Sequence, residues 1–332
     1  MPNQEAGSST LTAIEGVKVG HHTLSERPTG CTVVLFEAGA VAGVDVRGAA
    51  PGTRETDLLD PINTVQKVHA IVLAGGSAFG LDSASGAVKY LEDKGIGFDV
   101  GIAKVPIVPA AILFDLGVGG KPSVRPGADC GYRAAKGATS GPVVEGNVGA
   151  GAGATVGKAM GASRAMKAGI GSAAIRLPDG LIVSALVAAN SWGDIIDPET
   201  GEVVAGVRTE DGKSFADVRK LLRSGALTSA FRGRNTTIGL VVTNAKLTKT
   251  QATKVAQMAH DGLARAVQPA HTPVDGDTLF AVTTGTWDGK PNLLVIGDLA
   301  AQATAMAIVR AARQAEGIEG YPAARDLSGK SN

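Results

Sequence analysis

The sequence predicts an α/β protein in which two β-sheets pack face to face and helices lie outside them. Three observations lead there. Strand-like apolar runs outnumber what one parallel sheet with crossovers needs, and several are close enough in sequence to pair locally. The last third alternates strand, helix, strand, helix. Of 332 residues, 46 are glycine and only 4% are aromatic, which suits closely approaching backbones.

In chain order, Leu11 to Val19 reads as an early strand. Thr32 to Phe36 and Val41 to Val46 read as two more, joined by a hairpin-like Glu37-Ala38-Gly39-Ala40. Pro51 to Asp57 is a loop. Ala70 to Ala74 is a short buried strand that runs into Gly75-Gly76-Ser77-Ala78-Phe79-Gly80 and then a helix from Asp82 to Lys94. Ile107 to Phe114 is an apolar strand, and Ala128 to Ala138 a helix. A glycine-rich centre spans Gly141 to Gly161. Met166 to Arg176 and Leu181 to Ala189 pair around the turn Pro178-Asp179-Gly180. Asp197 to Lys213 is polar and loop-like, and Phe215 to Arg223 a short helix before a linker. Strand Thr236 to Thr243, helix Thr248 to Val267, strand Thr278 to Thr284 and helix Leu293 to Gln314 complete the chain. Thr248 and Gln251 have the spacing of a capping box.

The net charge of +1 and the lack of a basic run argue against a nucleic-acid partner. The apolar stretch Leu293 to Ala312 is interrupted by Asp298 and Arg310, so it reads as a buried helix and no membrane partner is expected. The two cysteines, Cys31 and Cys130, are too few for a disulfide framework and suit a reducing cytosol. The start, Met1 to Glu5, has no basic region followed by an apolar one, so no leader is expected and the cytoplasm is the expected compartment. The small, polar ends, Met1 to Thr10 and Asp326 to Asn332, are where disorder is expected.

Arg234-Asn235-Thr236-Thr237-Ile238-Gly239 carries the most chemistry. A hydroxyl residue follows Asn at the head of a strand. If the Asn235–Thr236 bond is cut, Thr236 holds both a nucleophilic hydroxyl and an α-amine of pKa about 8. That amine can serve as the base for its own hydroxyl. On the stretch alone, a plain β-branched strand explains the residues as well.

Other motifs are weaker. Gly149 to Lys158 invites a P-loop, but residue 152 is Ala where the first glycine belongs, and Ala159 stands where a magnesium-binding hydroxyl belongs. Lys158 remains as a point charge on a loop that can approach a ligand closely. Gly169 to Ala174 resembles a dinucleotide fingerprint but lies within a strand-like run. Gly75 to Gly80 sits where a serine nucleophile elbow would, with Ser77 as nucleophile and His260 or His271 as base. Phe79 occupies the elbow's second glycine, and a helix start packed through small residues explains the run better. His260-Asp261 and His271 with Asp275 and Asp277 match no standard metal spacing, and neither metal nor organic cofactor is expected. Asp275 and Asp277, flanking Gly276, could orient a nearby ammonium, or could be a solvated turn.

Over nearly its whole length the sequence resembles the DmpA-type aminopeptidases, the family of β-aminopeptidyl peptidases and nylon-oligomer hydrolases. The residues are Gly16 to His21, Pro28 to Val33, Pro51 to Asp57, Leu73 to Leu81, Val105 to Pro109, Gly153 to Lys158, Asn190 with Gly193-Asp194, Asn235 to Gly239, and Asp275 to Thr278. The resemblance implies a four-layer αββα sandwich, made as one domain of residues 1–332 and cut before Thr236 into an α chain (1–235) and a β chain (236–332). It implies Thr236 as nucleophile, Asn190 as an oxyanion donor, and Lys158 as the group that holds the hydroxyl or lowers its pKa. Asp275 and Asp277 would line the amine of Thr236 or of the substrate. Gly76 and Ser77 fall in the matched Leu73 to Leu81 segment and are expected to line the substrate site. Phe114 precedes an Asp where several relatives carry Tyr, so a phenolic donor to the substrate is expected to be missing. Asp-Gly-Asp is closer to the nylon-oligomer hydrolases.

The function expected is therefore an autoprocessing amide hydrolase, an aminopeptidase on small peptides or amides, assembled as a homo-oligomer of four or more copies. Its rivals are a 6-aminohexanoate-oligomer endohydrolase, an acyltransferase like ornithine acetyltransferase, and a non-catalytic small-molecule-binding protein that never cuts itself.

Overall fold

The computed structural model describes residues 10–225, 227 and 235–328. Nine strands are hydrogen-bonded together, eight of them along one path. They are β1 (Val17–Thr23), β2 (Gly30–Val46), β3 (Thr53–Arg54), β4 (Val68–Ala74), β5 (Ala110–Ile112), β6 (Ile170–Arg176), β7 (Ile182–Ala188), β8 (Ile238–Thr243) and β9 (Thr278–Thr283). The order is β6-β7-β8-β9-β2-β4-β5-β3, with β1 also paired to β2. The helices are α1 (Ser83–Asp93), α2 (Ala128–Lys136), α3 (Val218–Ser224), α4 (Lys249–Ala266), α5 (Leu293–Arg313) and α6 (Ala324–Ser328).

The path is two sheets joined by one strand. The first half of β2 pairs with β1 and β4, and its second half, Val41 to Val46, pairs antiparallel with β9. The register shifts between Leu35 and Ala40, where Gly39 takes φ +74°, a conformation that glycine adopts without steric cost. The expected hairpin at 37–40 is therefore not formed. Both flanking runs find partners elsewhere, and the segment stays one 17-residue strand.

Alternation along each strand builds the layers. Val34, Ile71, Leu73, Leu186, Leu240, Phe280 and Val282 point inward and share one core between the sheets. Their neighbours Val33, Leu35, Val72 and Ala74 face α1 and α2. Val183, Ala185, Val241, Leu279 and Ala281 face α4 and α5. The result is helices, sheet, sheet, helices: the αββα sandwich. Glycine allows the outer helices to touch, because a Cβ on Gly86 or Gly131 would strike the backbone of Ala128 or Ser83 across the α1–α2 contact. The capping box at α4 forms as the sequence predicts, with Gln251 N–H on Thr248 Oγ1 at 3.3 Å and Thr248 N–H on Gln251 Oε1 at 2.9 Å. Helix α5 has the length and composition of a membrane span, but 61% of its apolar window is buried against β6, β7 and α4.

Several boundaries differ from the sequence expectation. Leu11 to Ala13 is a 3-10 turn, and the first strand starts at Val17. The strand expected over 107–114 is only three residues long. The loop expected over 197–213 contains a short strand, Val203–Ala205, in a separate three-stranded sheet. Asp326 to Ser328 belong to α6 rather than to a disordered end. Residues 1–9 and 329–332, and most of the linker up to Arg234, lie outside the described residues. Cys31 and Cys130, expected to be reduced, are disulfide-bonded, with 6.2 Å between their Cα atoms. Both are buried where α2 packs on β2, which brings residues 99 apart in sequence together.

Candidate active site

Topology assembles the site. Strands β8 and β9 run parallel in register, Ile238 opposite Thr278, so the segments entering them lie side by side. The ladder continues backwards: Thr278 N–H donates to Thr237 O at 3.1 Å, and Gly276 N–H to Asn235 O at 3.0 Å. Strand β7 is antiparallel to β8, so its outgoing end meets the incoming end of β8. There Thr236 N–H donates to Asn190 O at 3.0 Å.

Asn235 and Thr236 are buried, 4% and 3% exposed. The Thr236 hydroxyl donates a short hydrogen bond to the Asn235 carbonyl oxygen. That oxygen also takes the Gly276 N–H. The carbonyl that Thr236 would attack thus already holds a backbone donor where an oxyanion would develop. Gly276 has to be glycine here, because a Cβ would stand 2.8 Å from Thr236 Oγ1 and collide with Ala50 O.

Lys158 and Asn190 meet next to this bond. Lys158 Nζ donates to the Asn190 side-chain oxygen at 2.8 Å and to its backbone oxygen at 3.1 Å. The same side-chain oxygen accepts Thr155 N–H at 3.0 Å, and two donors on one atom fix the amide orientation. The Asn190 amide nitrogen donates to Phe114 O at 3.1 Å. Phe114 therefore serves the site through its backbone. The Lys158 stem is partly exposed, but its ammonium is enclosed. Burial pushes its pKa down to about 7, against the opposing pull of Asp275 and Asp115.

Asp275 and Asp277 are each 1% exposed, so the solvated-turn alternative does not hold. Asp275 accepts Trp192 N–H and Thr272 N–H, both at 3.2 Å, and a short bond from the Thr272 hydroxyl. Burial and then the charge of Asp277 push its pKa up to about 6. Asp277 accepts Thr237 N–H at 2.8 Å on one oxygen and faces His271 Nδ1 at 2.9 Å with the other. Neither carboxylate is bonded to the Thr236 nitrogen; Asn190 O holds it.

Gly76 is tied to Asp115, and Ser77 to the backbone of Leu113. Gly76 N–H donates to Asp115 Oδ1 at 2.9 Å, and Ser77 N–H to Leu113 O at 3.0 Å. Ser77 takes φ +55°, yet the proposed bases are engaged elsewhere: His260 faces Asp45 O at 3.0 Å and His271 faces Asp277. The serine elbow is not assembled among the described residues. Asp115 is held by Arg27 at 2.9 Å and by the Thr29 hydroxyl at 2.6 Å. Sequence reading assigned no role to Arg27, Thr29, Asp115, Lys167 or Thr155; Arg27 and Thr29 meet Asp115 88 and 86 residues away, Thr155 meets Asn190 35 away, and Lys167 bonds carbonyls no more than 16 away. Among the described residues no three His, Cys, Asp or Glu side chains gather to hold a metal ion.

Known proteins resemble the chain over nearly its whole length. The profile described as Peptidase family S58 matches residues 9–325. An uncharacterized aminopeptidase of Mycobacterium bovis is 39% identical over 350 aligned positions, covering 96% of this chain and 98% of its own. A 6-aminohexanoate-oligomer endohydrolase of Kocuria is 33% identical, covering 87% of this chain and 79% of its own. Among solved structures, an L-aminopeptidase D-Ala-esterase/amidase of Ochrobactrum anthropi, described as a variant of the N-terminal-nucleophile hydrolase fold, superimposes with a TM-score of 0.70 at 18% identity over 98% of this chain and 94% of its own. A Burkholderia β-aminopeptidase superimposes at 0.66 with 24% identity over 97% and 90%. The sandwich is thus the N-terminal-nucleophile hydrolase fold, and the chain belongs to peptidase family S58, a hydrolase of peptide and amide bonds.

Proposed function

We propose that the chain is a proenzyme that cuts itself before Thr236 and then hydrolyses small peptides or amides with Thr236 as nucleophile. One observation carries this reading: the Thr236 hydroxyl sits on the Asn235 carbonyl, whose oxygen is already held by Gly276 N–H. Thr236 Oγ1 attacks the Asn235 carbonyl carbon and its proton passes to Lys158, whose lowered pKa keeps a neutral fraction available near pH 7. The tetrahedral oxyanion is held by Gly276 N–H. The C–N bond breaks, the nitrogen regains a proton, and Asn235 is left as an ester on Oγ1. Water hydrolyses the ester, giving the Asn235 carboxylate and a free Thr236. The new ammonium keeps Asn190 O as acceptor, and Asp275 and Asp277 supply the nearby negative charge. Substrate amides then follow the same ester route, with the α-amine or Lys158 as base.

The substrate class is a small amide with a free amine, the kind the aminopeptidase relatives are named for. The Kocuria relative and the Asp275-Gly276-Asp277 sequence favour a second substrate, linear 6-aminohexanoate oligomers cut internally. Turnover of an aminoacyl amide against a blocked oligomer separates the two. The test of the nucleophile is intact mass: the parent protein gives chains of residues 1–235 and 236–332, and Thr236→Ala stays whole. Scission that persists in Thr236→Ala would assign the cut to another protease.

A further inference from the structure

The carboxylate of Asp277 splits its two oxygens between different tasks. Oδ1 accepts Thr237 N–H at 2.8 Å. Oδ2 accepts His271 N–H at 3.1 Å and faces His271 Nδ1 at 2.9 Å. His271 therefore grips one oxygen twice, through backbone and ring. To do so it takes φ +54°, in the left-handed region that non-glycine residues rarely adopt. Its ring is backed by His260, edge to face at 4.8 Å between centroids. His260 is buried and anchored in turn, with Nε2 3.0 Å from Asp45 O on β2. A side chain in a sparsely populated backbone state, pinned between a carboxylate and a fixed ring, can rotate little, and neither can the carboxylate it holds.

We propose that His271 is a positioning residue for the nucleophile, acting through Asp277 on the Thr236–Thr237 peptide. The inference rests on the reading of Thr236 as the freed nucleophile. Before scission Thr236 is tethered on both sides, by the Asn235 peptide bond and by Thr237. After scission the Asn235 tether is gone. Two hydrogen-bonded points then hold it, its own nitrogen on Asn190 O and, one peptide unit from the reacting hydroxyl, the Thr237 N–H on Asp277. The grip of His271 on Asp277 accordingly matters more for turnover by the mature enzyme than for the cut itself. A residue needed only for folding would impair both alike.

The experiment compares His271→Gly, His271→Asn and the parent. Glycine removes the ring and tolerates the positive φ, so loss of the side chain is separated from backbone strain. Asparagine also tolerates that region and keeps a donor. Scission is followed by intact mass during cell-free synthesis. Acylation of the mature small chain is followed by mass after mixing with p-nitrophenyl acetate over a range of concentrations. The expected result is complete scission in all three proteins. His271→Gly then acylates about 10- to 100-fold more slowly at saturation, with half-saturation unchanged within about twofold, because the nucleophile is misplaced rather than the pocket. Added imidazole recovers part of that rate, and His271→Asn lies between the two. Saturating acylation within twofold of the parent in His271→Gly overturns the proposal, as does an equal loss in both variants with no imidazole response. A parent that is never cut, or never acylated at Thr236, overturns the nucleophile assignment itself and takes this inference with it.

Discussion

Lys158 Nζ lies 2.8 Å from the Asn190 side-chain oxygen, and Asn190 in turn holds the Thr236 nitrogen through its backbone oxygen at 3.0 Å. One residue thus sets Lys158 and Thr236 relative to each other. If Lys158 works as a base, substitution by Met slows scission by about 100-fold or more. Arg does not rescue it, because a guanidinium stays charged and cannot take a proton. Recovery by Lys158→Arg in a scission time course would instead show that only the positive charge is needed.

Gly276→Ala brings a methyl to 2.8 Å from Thr236 Oγ1 and against Ala50 O. The backbone has to shift, which pulls Gly276 N–H off the Asn235 carbonyl. Loss of one oxyanion donor costs about 100- to 1,000-fold in rate. The overpacking itself destabilises by about 1–3 kcal/mol. Slow or absent scission in a variant that still melts cooperatively is the expected outcome. Scission at the parent rate would remove Gly276 N–H from the mechanism.

The strands and helices of the last third were legible because each has a clear period and its own stop signals, and β8, α4, β9 and α5 all appear within a few residues of where the pattern puts them. The 17-residue β2 was not, because Glu37 to Ala40 has hairpin composition and only the distant partners β4 and β9 keep it extended. Thr236, Asp275 and Asp277 stood out as chemical types near a strand entry. Arg27 and Asp115, 88 residues apart, and the buried Lys167 did not. Their meaning lies in side-chain contacts that leave no local period. The Cys31–Cys130 bond was hidden for the same reason.

With Lys158 as the base of self-scission, the rate should depend on pH through it. A neutral amine is scarce below its pKa of about 7, so the rate rises as pH increases through that value and then levels. The charge of Asp275 favours the ammonium and holds that pKa up. Asp275→Asn removes the charge, so the Lys158 pKa falls further and the midpoint of the residual pH–rate curve moves to lower pH. A midpoint that moves upward, or stays, contradicts this electrostatic link.

The Cys31–Cys130 bond closes a loop across 99 residues of sequence and ties α2 to β2. Such a bond limits the unfolded chain and contributes about 2–4 kcal/mol. Cys130→Ala should lower the denaturant midpoint by a corresponding amount. Alkylation of the unfolded, unreduced protein should find no free thiol. Two alkylated cysteines would show that the pair is reduced in solution.

Lys167 carries a stability prediction of defined sign. It is fully buried, and its ammonium donates to Gly151 O at 2.9 Å, Ala154 O at 3.1 Å and Ala168 O. Burial pushes its pKa from 10.5 down to about 7. Between those values the unfolded chain binds a proton that the folded chain does not, so stability rises with pH over that window and is flat, for this group, below it. Lys167→Met keeps the length, removes the titration and forfeits the carbonyl bonds that order the loop carrying Thr155 and Lys158, of which the neutral amine can still make two. Its melting temperature should therefore be lower at pH 10 and rise less steeply from pH 7 to pH 10 than that of the parent. Parallel slopes in the two proteins would mean that Lys167 stays charged in its carbonyl cage throughout.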